Sequence, residues 1–283
     1  MILVLNAGGN IGTELVRELT SRGAEFTAAY RSPDDVAAAQ ATGLKAVEAD
    51  FSRPETLEKA LNGVQKLFFV SPPGLRLEEF EGNIVTAAQK AQVAHVVKMS
   101  VWGAEEEAFV FAKPHRAVEK QILASGLPYT FLRPTGFMQN MLGNAPTIKS
   151  QGAFYAPHGD ARVAEIDFRD IAKVAAIALT EEGHLGKAYD LTGGVAMTMA
   201  ERAEVLSETL GKTVSYVMTS EADWKATMLG YGLPEWQIDG ILDLNRYYKA
   251  GNSERVSSAV QDVTGDPPRS YRQFVEDYIQ AFR

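Results

Sequence analysis

Through the first 134 residues, short apolar runs alternate with amphipathic segments. The runs "ILVLN", "EFTAAY", "KAVEAD", "KLFFVS", "HVVKMS" and "YTFLRP" are separated by "TELVRELTSRG", "PDDVAAAQATG", "PETLEKALNG", "LEEFEGNIVTAAQKAQ" and "HRAVEKQILASG". Strands buried on both faces and joined by helical crossovers give this alternation, which predicts a parallel sheet covered by helices. The punctuation matches. Gly23, Gly43, Gly63 and Gly126 follow the periodic segments as left-handed stops, and Pro33, Pro54 and Pro114 sit where a first helical turn begins.

After about residue 135 the rhythm loosens. Helices are expected over "DIAKVAAIALTEEG", "AERAEVLSETLG", "PEWQIDGILDLNRYYKAG" and "SYRQFVEDYIQAFR", and strands near "KAYDLTG" and "TVSYVM". The fold class is read as α/β. A doubly wound parallel sheet spans residues 1–134, later segments near 162–192 return to it, and a smaller C-terminal α+β lobe spans 135–283. That lobe is expected over the carboxyl ends of the sheet, where open α/β sheets bind ligands.

Composition changes this picture mainly by exclusion. The 283 residues are 46% hydrophobic and 23% charged, so disorder is not expected. A net charge of -8 without a sustained Lys/Arg block argues against nucleic acid, because neutralising phosphates needs clustered cations. The expected partners are a small-molecule substrate and, as options, a second copy in a homodimer or a regulatory protein. No cysteine is present, which removes disulfides and thiolate chemistry and fits a reducing compartment. "MILVL" is too short for a signal segment, and no apolar run approaches the roughly 18 residues of a membrane span. A cytoplasmic protein whose fold starts at Met1 is expected.

Candidate chemistry begins in "NAGGNIG", residues 6–12, between the first apolar run and the first amphipathic segment. A dinucleotide diphosphate needs a tight strand-to-helix turn, close backbone approach and the amides of a helix amino end. Gly9 and Gly12 hold the second and third positions of a G-x-x-G-x-x-G pattern. Asn6 holds the first, and asparagine tolerates the positive φ such a position can require. The sheet is therefore read as Rossmann-type. In NAD binders an acid about 20 residues beyond the turn accepts the ribose diol. Here "YRSPDD" places Arg31 and Ser32, which suit a 2'-phosphate. NADP(H) is expected, with NAD(H) kept open by Asp34 and Asp35. Asp50 and Phe51 are candidates to face the adenine, with a capping network to Ser52 as the alternative for Asp50.

The turn, Arg31, "ADFSRPETLEKAL" and above all "HRAVEKQILASGLPYTFLRPTGFMQNM" resemble the NmrA-like branch of atypical short-chain dehydrogenases, and "AYDLTGGVAMTMAERAEVLSETLGKTVSYV" is similar to that branch's C-terminal lobe. The resemblance implies NADPH-dependent quinone, azo-dye or triphenylmethane reductases, isoflavone-type reductases, or regulators that bind the nucleotide without turnover. It implies a diphosphate held by Asn6, Gly9, Asn10, Ile11 and Gly12, a 2'-phosphate at Arg31 and Ser32, and adenine at Asp50 and Phe51. It also implies ribose at Ser71 and Pro72, and nicotinamide at Pro134, Thr135 and Phe137.

Ordinary short-chain dehydrogenases protonate the alkoxide with Tyr-x-x-x-Lys. With Glu119 aligned to the acid after that motif, the two positions fall on Phe111 and His115, which cannot repeat the chemistry. Pro114 predicts a helix starting just before His115, with Phe111 outside it. His115, which ordinarily titrates near neutrality, is a candidate acid or ribose contact, or else a helix-start residue bonded to a carbonyl. Lys113 is expected in solvent. Ser100 is a candidate donor to the nicotinamide, or a strand-end hydroxyl bonded to backbone. With Trp102, Phe137, Met138, Met141 and Tyr155 it is a candidate lining for a flat apolar ligand, the alternative being that these are core. His95, His115, His158 and His184 are too scattered for a ligand pair, so no metal is expected. An NADPH-dependent oxidoreductase acting on an apolar conjugated acceptor is the leading reading. A nucleotide-sensing regulator or a non-redox tailoring protein is its rival.

Overall fold

A computed structural model describes all residues from Met1 to Arg283. The chain divides into two compact units. The first comprises Met1–Glu107, Ala112–Pro134 and Phe168–Asp190; the second comprises Ala108–Phe111, Thr135–Asp167 and Leu191–Arg283.

In the first unit, strands β1 (Ile2–Val4), β2 (Phe26–Tyr30), β3 (Ala46–Glu48), β4 (Lys66–Phe69), β5 (His95–Met99) and β6 (Tyr129–Pro134) alternate with helices α1 (Asn10–Ser21), α2 (Pro33–Ala41), α3 (Pro54–Ala60), α4 (Leu77–Lys90) and α5 (Ala112–Ser125). The spatial order is β3-β2-β1-β4-β5-β6, followed by β8 (Lys187–Leu191). The pairings along β1 to β6 are parallel, so this is the doubly wound sheet the alternation predicts. Strand order reverses between β1 and β4, which opens a crevice at the carboxyl end of β1. One core cluster joins Leu3, Leu5, Leu67, Phe69 and Phe131 of the sheet to Ile84, Val85, Val118 and Ile122 of the covering helices. Helix α7 (Phe168–Thr180) buries nearly every residue of "FRDIAKVAAIALT" and belongs to this unit. Gly23, Gly43, Gly63 and Gly126 all have positive φ, as their place after the helical segments predicts.

The second unit pairs β7 (Ala153–Ala156) with β9 (Ser215–Met218) in parallel. Its helices are α6 (Ala145–Gln151), α8 (Met199–Leu210), α9 (Glu221–Gly230), α10 (Glu235–Lys249), α11 (Ala259–Thr264), α12 (Tyr271–Asp277) and α13 (Ile279–Phe282), after a 3-10 segment at Met138–Asn144. Thr198 and Glu201 form a reciprocal capping box at the start of α8. Strand β7 and helix α9 were not anticipated from the pattern. The single helix expected over "SYRQFVEDYIQAFR" is broken at Tyr278, so that Phe274 and Phe282 both turn into one core.

Two buried histidines give a pH prediction. In the first unit, Thr130 Oγ1 donates to the His184 carbonyl (2.6 Å), so its remaining contact at 2.8 Å must accept from His95 Nε2. Burial, with Lys66 and His184 adding, lowers the His95 pKa to about 4. In the second unit burial, with Arg202 and Lys249 adding, lowers His158 to about 4. Unfolded, both take a proton near pH 6.5, so the unfolded chain binds more protons between about pH 6.5 and 4. Their contribution to stability is complete above that window and falls on acidification through it, with a limiting slope of about 1.4 kcal/mol per pH unit for each. Urea unfolding at a series of pH values should show a shallower acid slope in His95→Gln; an unchanged slope would contradict the assignment.

Candidate nucleotide-binding site

The candidate residues of the first unit gather at the carboxyl ends of its parallel strands. Asn6 follows β1, Arg31 follows β2, Asp50 lies past β3, Ser71 past β4, Ser100 follows β5 and Pro134 closes β6. Parallel pairing in register aligns these ends along one edge of the sheet.

At the β1 end, Asn6 adopts φ +55, the left-handed conformation. Its side chain lies over Gly9: a Cβ at Gly9 would stand 2.8 Å from Asn6 Nδ2. A Cβ at Gly12 would stand 2.1 Å from the Asn6 carbonyl oxygen, so the helix can approach the strand this closely only with glycine there. Helix α1 starts with no side-chain cap and no acidic residue in its first turn. The amides of Asn10, Ile11 and Gly12 therefore point out of an uncapped positive helix end. A close-packed turn with free donors at the switch point fits the diphosphate of a dinucleotide.

At the β2 end, Arg31 is exposed and makes no ion pair, so its guanidinium is available to an anion. Ser32 is committed elsewhere: it caps α2, accepting from the Asp35 amide (3.1 Å), and its hydroxyl donates to the Asp35 carboxylate (2.6 Å). Asp50 takes the capping alternative. Its Oδ1 accepts from the Ser52 amide (2.9 Å) and hydroxyl (2.7 Å), and Oδ2 lies 3.4 Å from Arg53 Nε. Burial works to raise its pKa, but the Ser52 bonds and Arg53 outweigh it and the net shift is downward. Phe51 packs against the sheet-helix core, and its carbonyl accepts from Asn83 (2.9 Å). Pro72 is exposed; Ser71 is buried, its hydroxyl donating to Glu81 (3.1 Å).

Ser100 is buried at the carboxyl end of β5; its Oγ makes no hydrogen bond to backbone, and it stands beside the Glu119 carboxylate, which it helps to hold below the usual range. Trp102 is buried, its amide bonded to the Pro134 carbonyl (2.8 Å). Phe111 precedes α5 as expected, and Lys113 is exposed. His115 is half-buried; desolvation by the groups packed around its ring, and then the adjacent Lys98 ammonium, push its pKa well below 6.5, which disfavours the imidazolium.

In the second unit, the Phe111 ring stands where a Cβ on Gly240 of α10 would fall, 2.2 Å from that point, and meets Trp236 edge-on at 6.5 Å. Phe111 is thus a packing residue of the second unit. Thr135 is buried and donates to the Ala164 carbonyl (2.6 Å). Phe137 is partly exposed at the start of the 3-10 segment. Met138 and Met141 lie in the core with Ile148, Phe154 and Leu206. Tyr155 is exposed on β7, its hydroxyl donating to Gln151 (2.7 Å). Met138 does border a cavity of about 550 Å³ together with Arg162, Glu165, Arg202 and Tyr271. There the fully buried Arg202 pairs with Glu165 at 3.0 Å.

Sequence reading missed a buried charge cluster. Lys98 and Glu81 are fully buried and paired at 2.5 Å, and Lys98 Nζ also reaches the Met99 carbonyl (3.0 Å) and His115 Nδ1 (3.1 Å). The signal was a lysine inside the otherwise apolar strand "HVVKMS", which burial allows only with a partner. A second cluster ties β6 to α5: Arg133 donates twice to the buried Glu119 (3.0 and 2.9 Å). Burial works to raise the Glu119 pKa, and Arg133, with Ser100 and Arg116 adding, more than offsets it.

No helix is long and apolar enough to cross a membrane. Residues 7–182 match the model of the NAD(P)H-binding family. The chain is 36% identical to an NAD(P)H azoreductase of Xenophilus azovorans, covering 100% of this chain and 99% of that one. The NADPH-dependent quinone oxidoreductase of Escherichia coli, solved with NADPH, superposes with a TM-score of 0.91 at 29% identity, covering 99% of this chain and all of that one. The triphenylmethane reductase of Citrobacter sp., solved with NADP(H), gives 0.90 at 28% identity over 98% of this chain and 99% of that one. The uncapped glycine turn at the switch point and these full-length likenesses agree: the chain belongs to the NAD(P)H-binding family, in the NmrA-like branch of the atypical short-chain dehydrogenases.

Proposed function

We propose that this protein is an NADPH-dependent reductase that acts on an apolar, conjugated acceptor of the quinone or azo-dye kind, without a Tyr-Lys dyad. The observation that carries the reading is the uncapped amino end of α1 at the switch point, in a chain whose full-length relatives are named as nicotinamide-dependent reductases. Bound NADPH would supply the hydride. The chain's own residues bind and orient: the amides of Asn10, Ile11 and Gly12 hold the diphosphate, and Arg31 holds the 2'-phosphate. The buried Ser100 hydroxyl, at the carboxyl end of β5, donates at the nicotinamide end. Phenylalanine at position 111 has no proton to give, so simple carbonyls are poor substrates. Conjugated acceptors delocalise the incoming charge and collect their proton from water.

Following NADPH oxidation against a panel of quinones and azo dyes tests the activity: turnover is expected, and tight NADPH binding with no turnover across the panel would contradict it. Coenzyme choice has its own test. Arg31→Ala should weaken NADP(H) binding by about 1–3 kcal/mol, the scale of a charged hydrogen bond, and leave NAD(H) little changed. Equal loss for both coenzymes in calorimetry would remove the assignment.

A further inference from the structure

We propose that Lys98, anchored by Glu81, is a positioning residue that fixes His115 as a neutral imidazole with its proton on Nε2, making it a permanent hydrogen-bond donor to the nicotinamide ribose. The target rests on the coenzyme reading above; the state of the ring does not.

An ammonium has three donors and no acceptor. Lys98 Nζ has three acceptors within reach: Glu81 Oε2 at 2.5 Å, the Met99 carbonyl at 3.0 Å and His115 Nδ1 at 3.1 Å. All three protons are used, and the Nδ1 lone pair is consumed, so the ring proton must sit on Nε2. That nitrogen makes no hydrogen bond, and the residue is partly exposed. Glu81 is itself braced by the amide (3.0 Å) and hydroxyl (3.1 Å) of Ser71. The charged group facing the ring is Lys98 of β5, with Glu81 of α4 bonded to the same ammonium. On α5 itself, Lys113 is exposed and Arg116 is paired with Glu119 at 2.9 Å. A second positive charge beside Lys98 is disfavoured, so the ring donates without becoming an imidazolium. His115 stands at the dyad position whose lysine holds ribose in ordinary short-chain dehydrogenases, and a donor that cannot release its proton suits that binding role.

In the ligand-free protein, multiple-bond proton–nitrogen NMR should show His115 protonated on Nε2 and not on Nδ1, unchanged from about pH 5.5 to 8.5. The peaks are assigned by their loss in His115→Gln. In the charge-neutral double variant Lys98→Met/Glu81→Gln, His115 should titrate upward of its wild-type range. Calorimetry then compares NADP+ with adenosine 2',5'-bisphosphate, which carries the same 2'-phosphate and lacks the nicotinamide ribose. His115→Phe should weaken NADP+ about tenfold and the bisphosphate by less than about twofold. In the double variant the ratio of the two affinities should depend on pH, where wild type is flat. A wild-type ring that titrates near pH 6.5 or carries its proton on Nδ1, or an equal loss of both ligands in His115→Phe, would overturn the proposal. If wild type bound neither ligand, the coenzyme reading itself would fall, and the ribose target with it. That failure is distinguishable because the NMR reads the ring without ligand.

Discussion

Replacing Gly12 with alanine is expected to weaken NADPH binding by about 100-fold or more, the equivalent of about two charge-assisted hydrogen bonds. The new methyl would stand 2.1 Å from the Asn6 carbonyl oxygen and 2.9 Å from the Ala7 Cα. Both are backbone atoms, so no rotamer relieves the clash. Either α1 moves away from β1 or the turn opens, and each carries the amides of Asn10 and Ile11 away from the diphosphate. Helix α1 packs through Ile11, Leu15 and Leu19, so the displacement should also lower the thermal midpoint. Calorimetry with NADPH checks the first effect and a melting curve the second. Affinity within about threefold of wild type would show that the close approach at Gly12 does not shape the site.

Lys98→Ala is expected to cost about 3–5 kcal/mol, because it strands a fully buried carboxylate. The same deletion in an exposed pair such as Arg76 and Glu79 should cost about 0–1 kcal/mol, since water already solvates both groups. Most of the loss at Lys98 is a penalty on the survivor, so removing both charges should recover much of it. Lys98→Met/Glu81→Gln keeps the volumes, and the new amide can still meet Ser71. Urea unfolding of the two variants at pH 7 makes the comparison. A double variant as unstable as the single would mean that the cluster stabilises by attraction and not by avoiding an unpaired charge.

The sheet was legible because its strands are buried on both faces. Runs such as "KLFFVS" and "YTFLRP" have no wet side to blur them, and glycines such as Gly43 and Gly126 mark the helix ends with the positive φ that other residues resist. The second unit was less legible. Strand β7 is four residues, "AFYA", with Tyr155 exposed and Ala156 half-buried, and α9 buries none of its side chains, so neither carries a period to read. At the site, spacing located the strand ends but not the local partners. Ser32 and Asp50 sit at the expected positions, yet each spends its side chain on the turn that holds it, a competition that short polar side chains commonly enter. His115 was read by its ordinary pKa, which burial lowers first and then Lys98, a neighbour 17 residues away on an adjacent strand. Only folding reveals that neighbour, although a lysine in an apolar strand announces that some partner must exist.

The central claim is that the amino end of α1 holds the diphosphate of a nicotinamide coenzyme. A crystal structure of the protein grown with millimolar NADPH tests it most directly. The expected result is diphosphate density within hydrogen-bond distance of the amides of Asn10, Ile11 and Gly12, with the 2'-phosphate against Arg31. Coenzyme bound away from this turn, or no coenzyme at that concentration, would contradict the account.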